Sequence, residues 1–342
     1  MVTLKEIGDA AGVSPSTVSA VIHNKSHCYV SELKRKLVLS TADRLGYLPN
    51  MNSRALKGLP TRTIGIISGI FSVPIHSELI SHIVEFLNRR EYHVMLGDSK
   101  GEHAKENSLI KEFISRGIDG IIINSTRKTD DIHAVIPGYD TSIVNTSNNP
   151  KSMDDRWNLS VNLPKGEYLA VEHLIKRHKR RKIVFYTTGL EANILKFAGY
   201  RQALKDNNID FSNDLCMNIS TQKDKLKYVS NSILKLKPDA VVTTNDMLAL
   251  QLVRVLSDMK IKVPDDIAVI GYDGLNICNV SNPSLSTVRQ PMETLAKKTV
   301  DILINKIENK IEPGKPSLVE PKLVRRKSCG CKNTNDDIFF KV

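Results

Sequence analysis

From Arg62 onward, short apolar runs alternate with stretches of helical period, and this alternation limits the fold more than any other feature. Runs at 63–68, 93–97, 120–124, 142–146, 182–187, 240–244 and 267–272 have strand length. Helical patterns fall between them near 76–91, 103–116, 165–178, 196–207, 223–236 and 246–259. Strand and helix in alternation predict an α/β fold, a parallel sheet covered by helices on both faces. There are too many strands for one sheet with one switch point. Two α/β halves are therefore expected, dividing near 150–162, where Asn148 to Asp155 reads as loop. Ligands bind such folds in the crevice at the carboxyl ends of the strands. The polar residues at those ends are Ser68, Asn124, Asn145, Asn245, Asp246 and Asp273. As a set they suit a hydroxyl-rich ligand. Singly, each also reads as a helix cap or turn residue, Asp246 above all.

The first sixty residues have a different texture. Thr3-Leu-Lys-Glu6 is a capping box, with the Thr hydroxyl accepting from a first-turn N–H and the Glu reaching back. Leu4, Ile7 and Ala11 share a helical face, and Gly12 ends that helix. Ser14 is a second N-cap, with Pro15 at the first helical position. The second helix runs to about His23 and buries Val18, Val21 and Ile22. Ser31 caps a third, through Leu45, with Gly46 beyond its end. This is a helix-turn-helix pattern. Such a unit places its second helix in the major groove of DNA, N-terminal residues toward the base edges. Those residues are Pro15, Ser16 and, one turn on, Ala20. Thr17, Ser19 and His23 are short polar groups suited to phosphate oxygens. The same pattern also fits a small helical bundle that binds protein.

Between Pro49 and Pro60 lies a polar stretch with one large apolar group at its centre, Leu56. A helix this short is marginal in water and needs a partner. Duplex DNA would serve, with Arg54 and Lys57 on phosphates and Leu56 wedged between base pairs in the minor groove. A flexible linker is the reading that composition alone favours.

Charge bears on the choice of partner. Residues 1–62 carry nine Lys and Arg against four Asp and Glu, a net of +5 out of +12 for all 342 residues. An excess concentrated in so small a segment suits a polyanion. The cationic run Lys176 to Lys182 closes a predicted helix and reads as solvated surface that complements the helix dipole. The five cysteines are odd in number and scattered, so they imply no disulfide framework. Cys329-Gly-Cys331 is the one close pair. A structural zinc site there would need a second pair at matching spacing, and the sequence has none, so no metal is expected. No apolar run is long enough to span a membrane. The first residues lack a secretory pattern, which predicts a cytoplasmic chain.

Enzyme signatures are missing. The sequence has no phosphate-binding or dinucleotide-binding glycine pattern, no nucleophile elbow and no H-E-x-x-H. Asp154-Asp155 and Asp265-Asp266 are adjacent, so their side chains diverge. No catalytic residues and no cofactor are expected, and the chain reads as a binding protein.

Several segments resemble the LacI/GalR family of bacterial transcription regulators. They are Thr3-Leu-Lys-Glu-Ile7, Ala11-Gly-Val-Ser-Pro-Ser-Thr-Val-Ser19, Leu45-Gly-Tyr-Leu-Pro-Asn50, Arg54-Ala-Leu56 and Thr63-Ile-Gly-Ile-Ile67. Further on come Asp119-Gly-Ile-Ile-Ile123, His173-Leu-Ile175, Thr244-Asn-Asp-Met-Leu-Ala249, Val263 to Asp273, Thr287-Val-Arg-Gln-Pro291 and Arg326-Lys-Ser-Cys-Gly330. The likeness spans nearly the whole chain in order.

The resemblance implies a headpiece over 1–48, a hinge helix and linker over 49–61, a two-part effector-binding and dimerisation core over 62–331 that resembles periplasmic sugar-binding proteins, and a tail over 332–342. It implies a homodimer on near-palindromic double-stranded operator DNA, with no membrane partner, and most often a repressor. A small effector, commonly a sugar or nucleobase, would bind between the core halves. The base-reading positions fall on Pro15, Ser16 and Ala20, and phosphate contacts on Thr3, Thr17, Ser19, His23 and Asn50. The minor-groove hinge falls on Arg54, Ala55, Leu56 and Lys57. Effector contacts fall on or near Ser68, Asn145, Lys196, Asn245, Asp273 and Gln290, and the strand-end positions add Asn124 and Asp246 to the expected effector site.

The sequence departs from the family at several of these positions. Ala20 stands where many members carry Arg, and offers a methyl to a thymine rather than two donors to a guanine. His23 replaces an Asn, and the loop from Asn24 to Tyr29 is longer than usual. Asn145 replaces a frequent Asp. Lys196, in Lys196-Phe-Ala-Gly-Tyr200, replaces an Arg and loses its planar two-pronged grip. The effector is then a sugar, a sugar phosphate or another metabolite, or the pocket is degenerate and the regulator effector-insensitive. The tail has no leucine heptads, which argues against a coiled-coil tetramer. A solute-binding protein of a transporter is the rival on the same core, and residues 1–58 argue against it.

Overall fold

A computed structural model describes residues 2–22, 28–47, 60–69, 71–150, 155–189, 193–220, 222–309 and 317–332. The chain divides into two compact units, Met1–Thr61 and Arg62–Val342.

The smaller unit contains helices α1 (Leu4–Ala11), α2 (Pro15–Ile22) and α3 (Glu32–Arg44). The capping box forms. Thr3 Oγ accepts from the Glu6 N–H at 3.3 Å, and the Glu6 carboxylate accepts from the Thr3 N–H at 2.7 Å. Gly12 ends α1 at φ 65, a left-handed conformation that glycine adopts without strain. Ile7, Ala11, Val18, Val21, Val38 and Ala42 form the core of this unit. Ile22, expected inside, is only partly buried at its edge. Ser31 stands at the N-cap of α3, but its hydroxyl makes no capping bond.

The larger unit begins β1 (Thr63–Ser68), α4 (Pro74–Asn88), β2 (His93–Asp98), α5 (His103–Ser115), β3 (Gly120–Ile123), α6 (Thr129–His133), β4 (Ser142–Asn145) and β5 (Leu159–Val161). It continues α7 (Leu163–His178), β6 (Ile183–Thr187), α8 (Ile194–Asp206), β7 (Cys216–Asn218), α9 (Lys225–Leu236), β8 (Ala240–Thr243), α10 (Asp246–Asp258) and β9 (Ala268–Asp273). Last come α11 (Ile277–Val280), β10 (Ser286–Arg289), α12 (Met292–Asn309), β11 (Ser317–Val319) and β12 (Lys322–Val324). Every strand read from the sequence forms, each end within one residue.

Ten of the twelve strands build two main sheets, as expected, and β5 and β11 form a separate two-stranded sheet. The first has the order β2-β1-β3-β4 and is parallel throughout. The second has the order β12-β10-β9-β8-β6-β7, with only β12 antiparallel. β3, β6 and β9 are buried along their whole length, as parallel strands covered on both faces must be. The chain passes between the halves three times. It leaves the first half after β5. It returns with α12, which packs on α4, and β11, which pairs with β5. It crosses again to add β12 beside β10. Three adjacent passages are the physical basis of a two-lobed clamp. Among the described residues, no helix is long and apolar enough to cross a membrane.

Candidate functional site

In the smaller unit, the N-terminus of α2 carries a cluster of hydroxyls. Ser14 Oγ accepts from the Thr17 N–H at 3.2 Å and so caps the helix. It also shares hydrogen bonds with Ser16 Oγ at 2.7 Å and Thr17 Oγ1 at 2.9 Å. Pro15 and Ser16 are exposed, and Thr17 and Ser19 half-buried. Ala20 differs from expectation. It is 4% exposed, so its methyl does not stand on the open face with Ser16. A single methyl is too short to clear the surface around it. The Thr3 hydroxyl is engaged with Glu6. The hydrogen bond from the Thr3 N–H, then that from its hydroxyl, holds the Glu6 carboxyl below its ordinary range. His23, Asn50, Arg54, Ala55, Leu56 and Lys57 lie outside the described residues.

In the larger unit, the strand order reverses between β1 and β3 in one half and between β6 and β8 in the other. The carboxyl ends of strands at such switch points are where α/β folds bind ligands. In the first half, Ser68 and Asn124 border a cavity of about 10 Å³, also lined by His76, Leu79, Ile122 and Thr146. That is room for one water.

The second half supplies charge. Lys196, on the first turn of α8, is buried. Its ammonium donates to the Thr244 carbonyl at 2.6 Å and lies 3.9 Å from the centroid of the Tyr272 ring. Burial pulls its pKa down, and Asp273, Glu167 and Asp246 act the other way. Asp273 ends β9 at φ 119, a conformation L residues seldom adopt outside functional sites. Its carboxylate accepts from Gln290 Nε2 at 2.8 Å. Burial pushes its pKa up to about 7 against the pull of Lys196. Lys196, Asp273 and Gln290 are therefore brought together, as the resemblance implies.

Other expected contacts are engaged elsewhere. Asn245 Oδ1 accepts from the Leu248 N–H at 2.8 Å and caps α10, the role the sequence favoured for Asp246. Asp246 instead accepts from the N–H groups of Gly274 and Leu275, both at 2.8 Å, and from the Thr287 hydroxyl at 2.5 Å. It fixes the turn that follows Asp273. Asn145 accepts from the N–H groups of Ser125 and Ser147 and donates to the carbonyls of Ser125 and Arg127. Two donors and two acceptor positions are all a primary amide has. Asn124 Nδ2 donates to the Thr146 carbonyl at 3.1 Å.

Two residues escaped the sequence reading. Glu167 is 1% exposed, and neither carboxylate oxygen has a hydrogen-bond partner. Burial pushes its pKa to about 8, and Lys196 opposes this. His76, in the first half, is held down to about 4 by burial and by Lys196. A readable signal existed for Glu167, which shares the helical face of Leu163, Ala170, Val171 and Leu174. A carboxylate on a core face is costly unless it is used. Arg289 and Glu78 face each other across the two halves at 3.8 Å.

A three-helix head on a two-lobed α/β core with a charged cleft is the build of a ligand-responsive DNA-binding regulator. Residues 3–50 match the family described as bacterial regulatory proteins, lacI family, and residues 171–329 match the periplasmic binding protein-like domain. A lacI-family DNA-binding segment is thus joined in one chain to a periplasmic binding protein-like domain. It is 29% identical over 335 residues to the HTH-type transcriptional repressor PurR of Vibrio atlanticus (strain LGP32), covering 95% of this chain and 98% of that protein. Its fold is similar to that of the lac repressor dimer bound to operator and the anti-inducer ONPF, with TM-score 0.82 and 23% identity over 96% of this chain and 99% of that one. It is also similar to the Escherichia coli transcriptional repressor ascG, with TM-score 0.68 and 24% identity over 78% and 98% of the two chains.

Proposed function

We propose that this chain is a sequence-specific transcriptional repressor, not an enzyme, working in the cytoplasm as a homodimer on a near-palindromic operator. The headpiece is residues 1–48, the hinge and linker 49–61, the core 62–331 and the tail 332–342. Pro15 and Ser16 face base edges. Thr17 and Ser19, with His23 and Asn50, take phosphates. Leu56, flanked by Arg54, Ala55 and Lys57, enters the minor groove. Relatives named for repression, and a neighbour solved on operator, support this assignment.

The effector is a small polar metabolite held in the cleft by Lys196, Asp273 and Gln290 from one half and Ser68 and His76 from the other. Glu167 lies behind Lys196 and tunes it. Asn124, Asn145, Asn245 and Asp246 hold the cleft walls in shape. The observation that carries the proposal is the exposed hydroxyl cluster at the N-terminus of α2, where helix N–H groups and hydroxyls can meet phosphate together. Retarded migration of genomic fragments tests it. Full-length protein should select a discrete site and lose about 10³- to 10⁵-fold in affinity between 50 and 200 mM salt, as about 6–10 phosphate contacts require. Affinity indifferent to salt and to sequence defeats the proposal.

A further inference from the structure

The two cysteines left unassigned by the sequence have partners in space. His173 and His178, on the last turns of α7, stand with Cys329 and Cys331 so that one ligand atom from each lies within 4.8 Å of all the others. We propose that these four side chains bind a structural zinc ion.

The distances match that ion. Zinc bonds of about 2.0–2.1 Å to nitrogen and 2.3 Å to sulfur, set tetrahedrally, place ligand atoms about 3.3 Å apart for two nitrogens and about 3.5 Å for nitrogen and sulfur. His173 Nε2 is 3.2 Å from His178 Nε2, 3.6 Å from Cys329 Sγ and 3.4 Å from Cys331 Sγ. Cys331 Sγ is 3.5 Å from His178 Nε2. The His173 nitrogen thus faces three heteroatoms at once. It has a single lone pair or a single proton, so it can serve only one of them. A cation at the centre serves all four.

The chain is shaped for this convergence. The imidazole planes cross at 73°, with both Nε2 atoms turned to a common point. Gly330 separates the two cysteines at φ 100, and a Cβ there would lie 3.1 Å from His178 Nδ1. Glycine takes the left-handed turn without strain, and a side chain there would press on the imidazole. Two thiolates and two neutral imidazoles neutralise a divalent cation. Two nitrogens and two sulfurs in a closed tetrahedron select zinc over magnesium or calcium and leave no open position for catalysis.

The ion would pin the segment after β12 to the end of α7. That segment includes Ser328, which accepts from the Ser286 N–H at 2.8 Å and donates to the Val269 carbonyl at 2.6 Å. Zinc would brace β9 and β10, the strands that lead to Asp273 and Gln290.

The test is metal analysis of the full-length chain, purified under reducing conditions without chelator. About one zinc per chain is expected. Cobalt added to the demetallated protein should give intense visible d–d bands and a thiolate-to-cobalt charge-transfer band. Cys331→Ser and His178→Ala should each lose the stoichiometric metal, and Cys216→Ser should keep it. Wild-type protein that is free of metal and spectroscopically silent with excess cobalt overturns the proposal, whatever the variants do. So does a Cys329–Cys331 disulfide found by mass spectrometry in protein purified without reductant and inert to zinc after reduction.

Discussion

Lys196 holds its ammonium 3.9 Å from the centre of the Tyr272 ring, a cation set on an aromatic face in a buried site. The ring quadrupole, the Thr244 carbonyl and the carboxyl groups of Asp273 and Glu167 share the task of replacing water around this charge. Lys196→Met keeps the stem and removes the charge. It leaves Asp273 without its cation, so the Asp273 pKa should rise above about 7. His76 loses a positive neighbour, and its pKa should climb part of the way from about 4, because burial is the larger cause of its depression. NMR titration of the His76 ring reads this directly. The variant should lose about 3–5 kcal/mol of core stability in urea, the usual cost of breaking a buried ionic set. A His76 titration identical to wild type would show that Lys196 does not face it.

Glu167 makes a pH prediction with a definite sign. Its carboxyl titrates at about 8 in the folded chain against 4.5 as the reference. Between those values the unfolded chain has released a proton that the folded chain retains, so stability falls as pH rises through this window. Glu167→Gln removes the effect. The variant should match wild type near pH 4.5 and gain on it up to about pH 8, by at most about 1.4 kcal/mol per pH unit. Urea unfolding at a series of pH values measures the difference. A flat difference would mean that Glu167 is ionised throughout, paired with Lys196.

The strand ends and the cleft were legible because they follow local rules. Parallel strands buried on both faces are continuous apolar runs, and the residues just past them point to the crevice, so Ser68 and Asp273 could be read from position alone. Lys196 and Gln290 required the family resemblance, since nothing in their own neighbourhoods marks them. What could not be read is tertiary. β5 and β11 are three residues each and exist because they pair with each other across more than 150 positions. α12 has a plain period, with Leu295, Ala296, Val300, Leu303 and Ile304 buried, but it follows the last strand recognised. Its return to the first half has no local signature. His173 and His178 bear no local mark of a metal site, because they are imidazoles on a helix more than 150 positions from the cysteines they meet. Asn145 sits at a strand end like Asp273 but turns its amide into its own lobe, a choice made by the backbone of Ser125 and Arg127.

The headpiece core is small enough for one residue to decide its fate. Ile7 is fully buried against Val18, Val21 and Val38. Ile7→Ala removes three carbons from a unit with little else to hold it and should cost about 2–5 kcal/mol. Because the two units are separately compact, calorimetry should show the headpiece transition moving down while the core transition stays. Operator binding should weaken in step with the fraction of headpiece unfolded. A shift of the core transition instead would show that the two units unfold as one.

Asn145 gives the sharpest test of which residues shape the cleft and which would touch a ligand. Its amide nitrogen donates to the Ser125 carbonyl at 3.0 Å and the Arg127 carbonyl at 2.9 Å, at 0% exposure. Asn145→Asp is nearly isosteric but replaces both donors with an acceptor. Two buried carbonyls then face a carboxylate oxygen and lose their partners, at about 1–3 kcal/mol each. The variant should be destabilised by several kcal/mol at neutral pH, and less so in acid, where the protonated carboxyl regains one donor. Asn145→Ser, which also loses the Arg127 bond but brings no charge, should be destabilised without the pH dependence. If Asn145→Asp were as stable as wild type at neutral pH, the side chain must turn out toward the cleft, and its assignment would pass from wall to ligand contact.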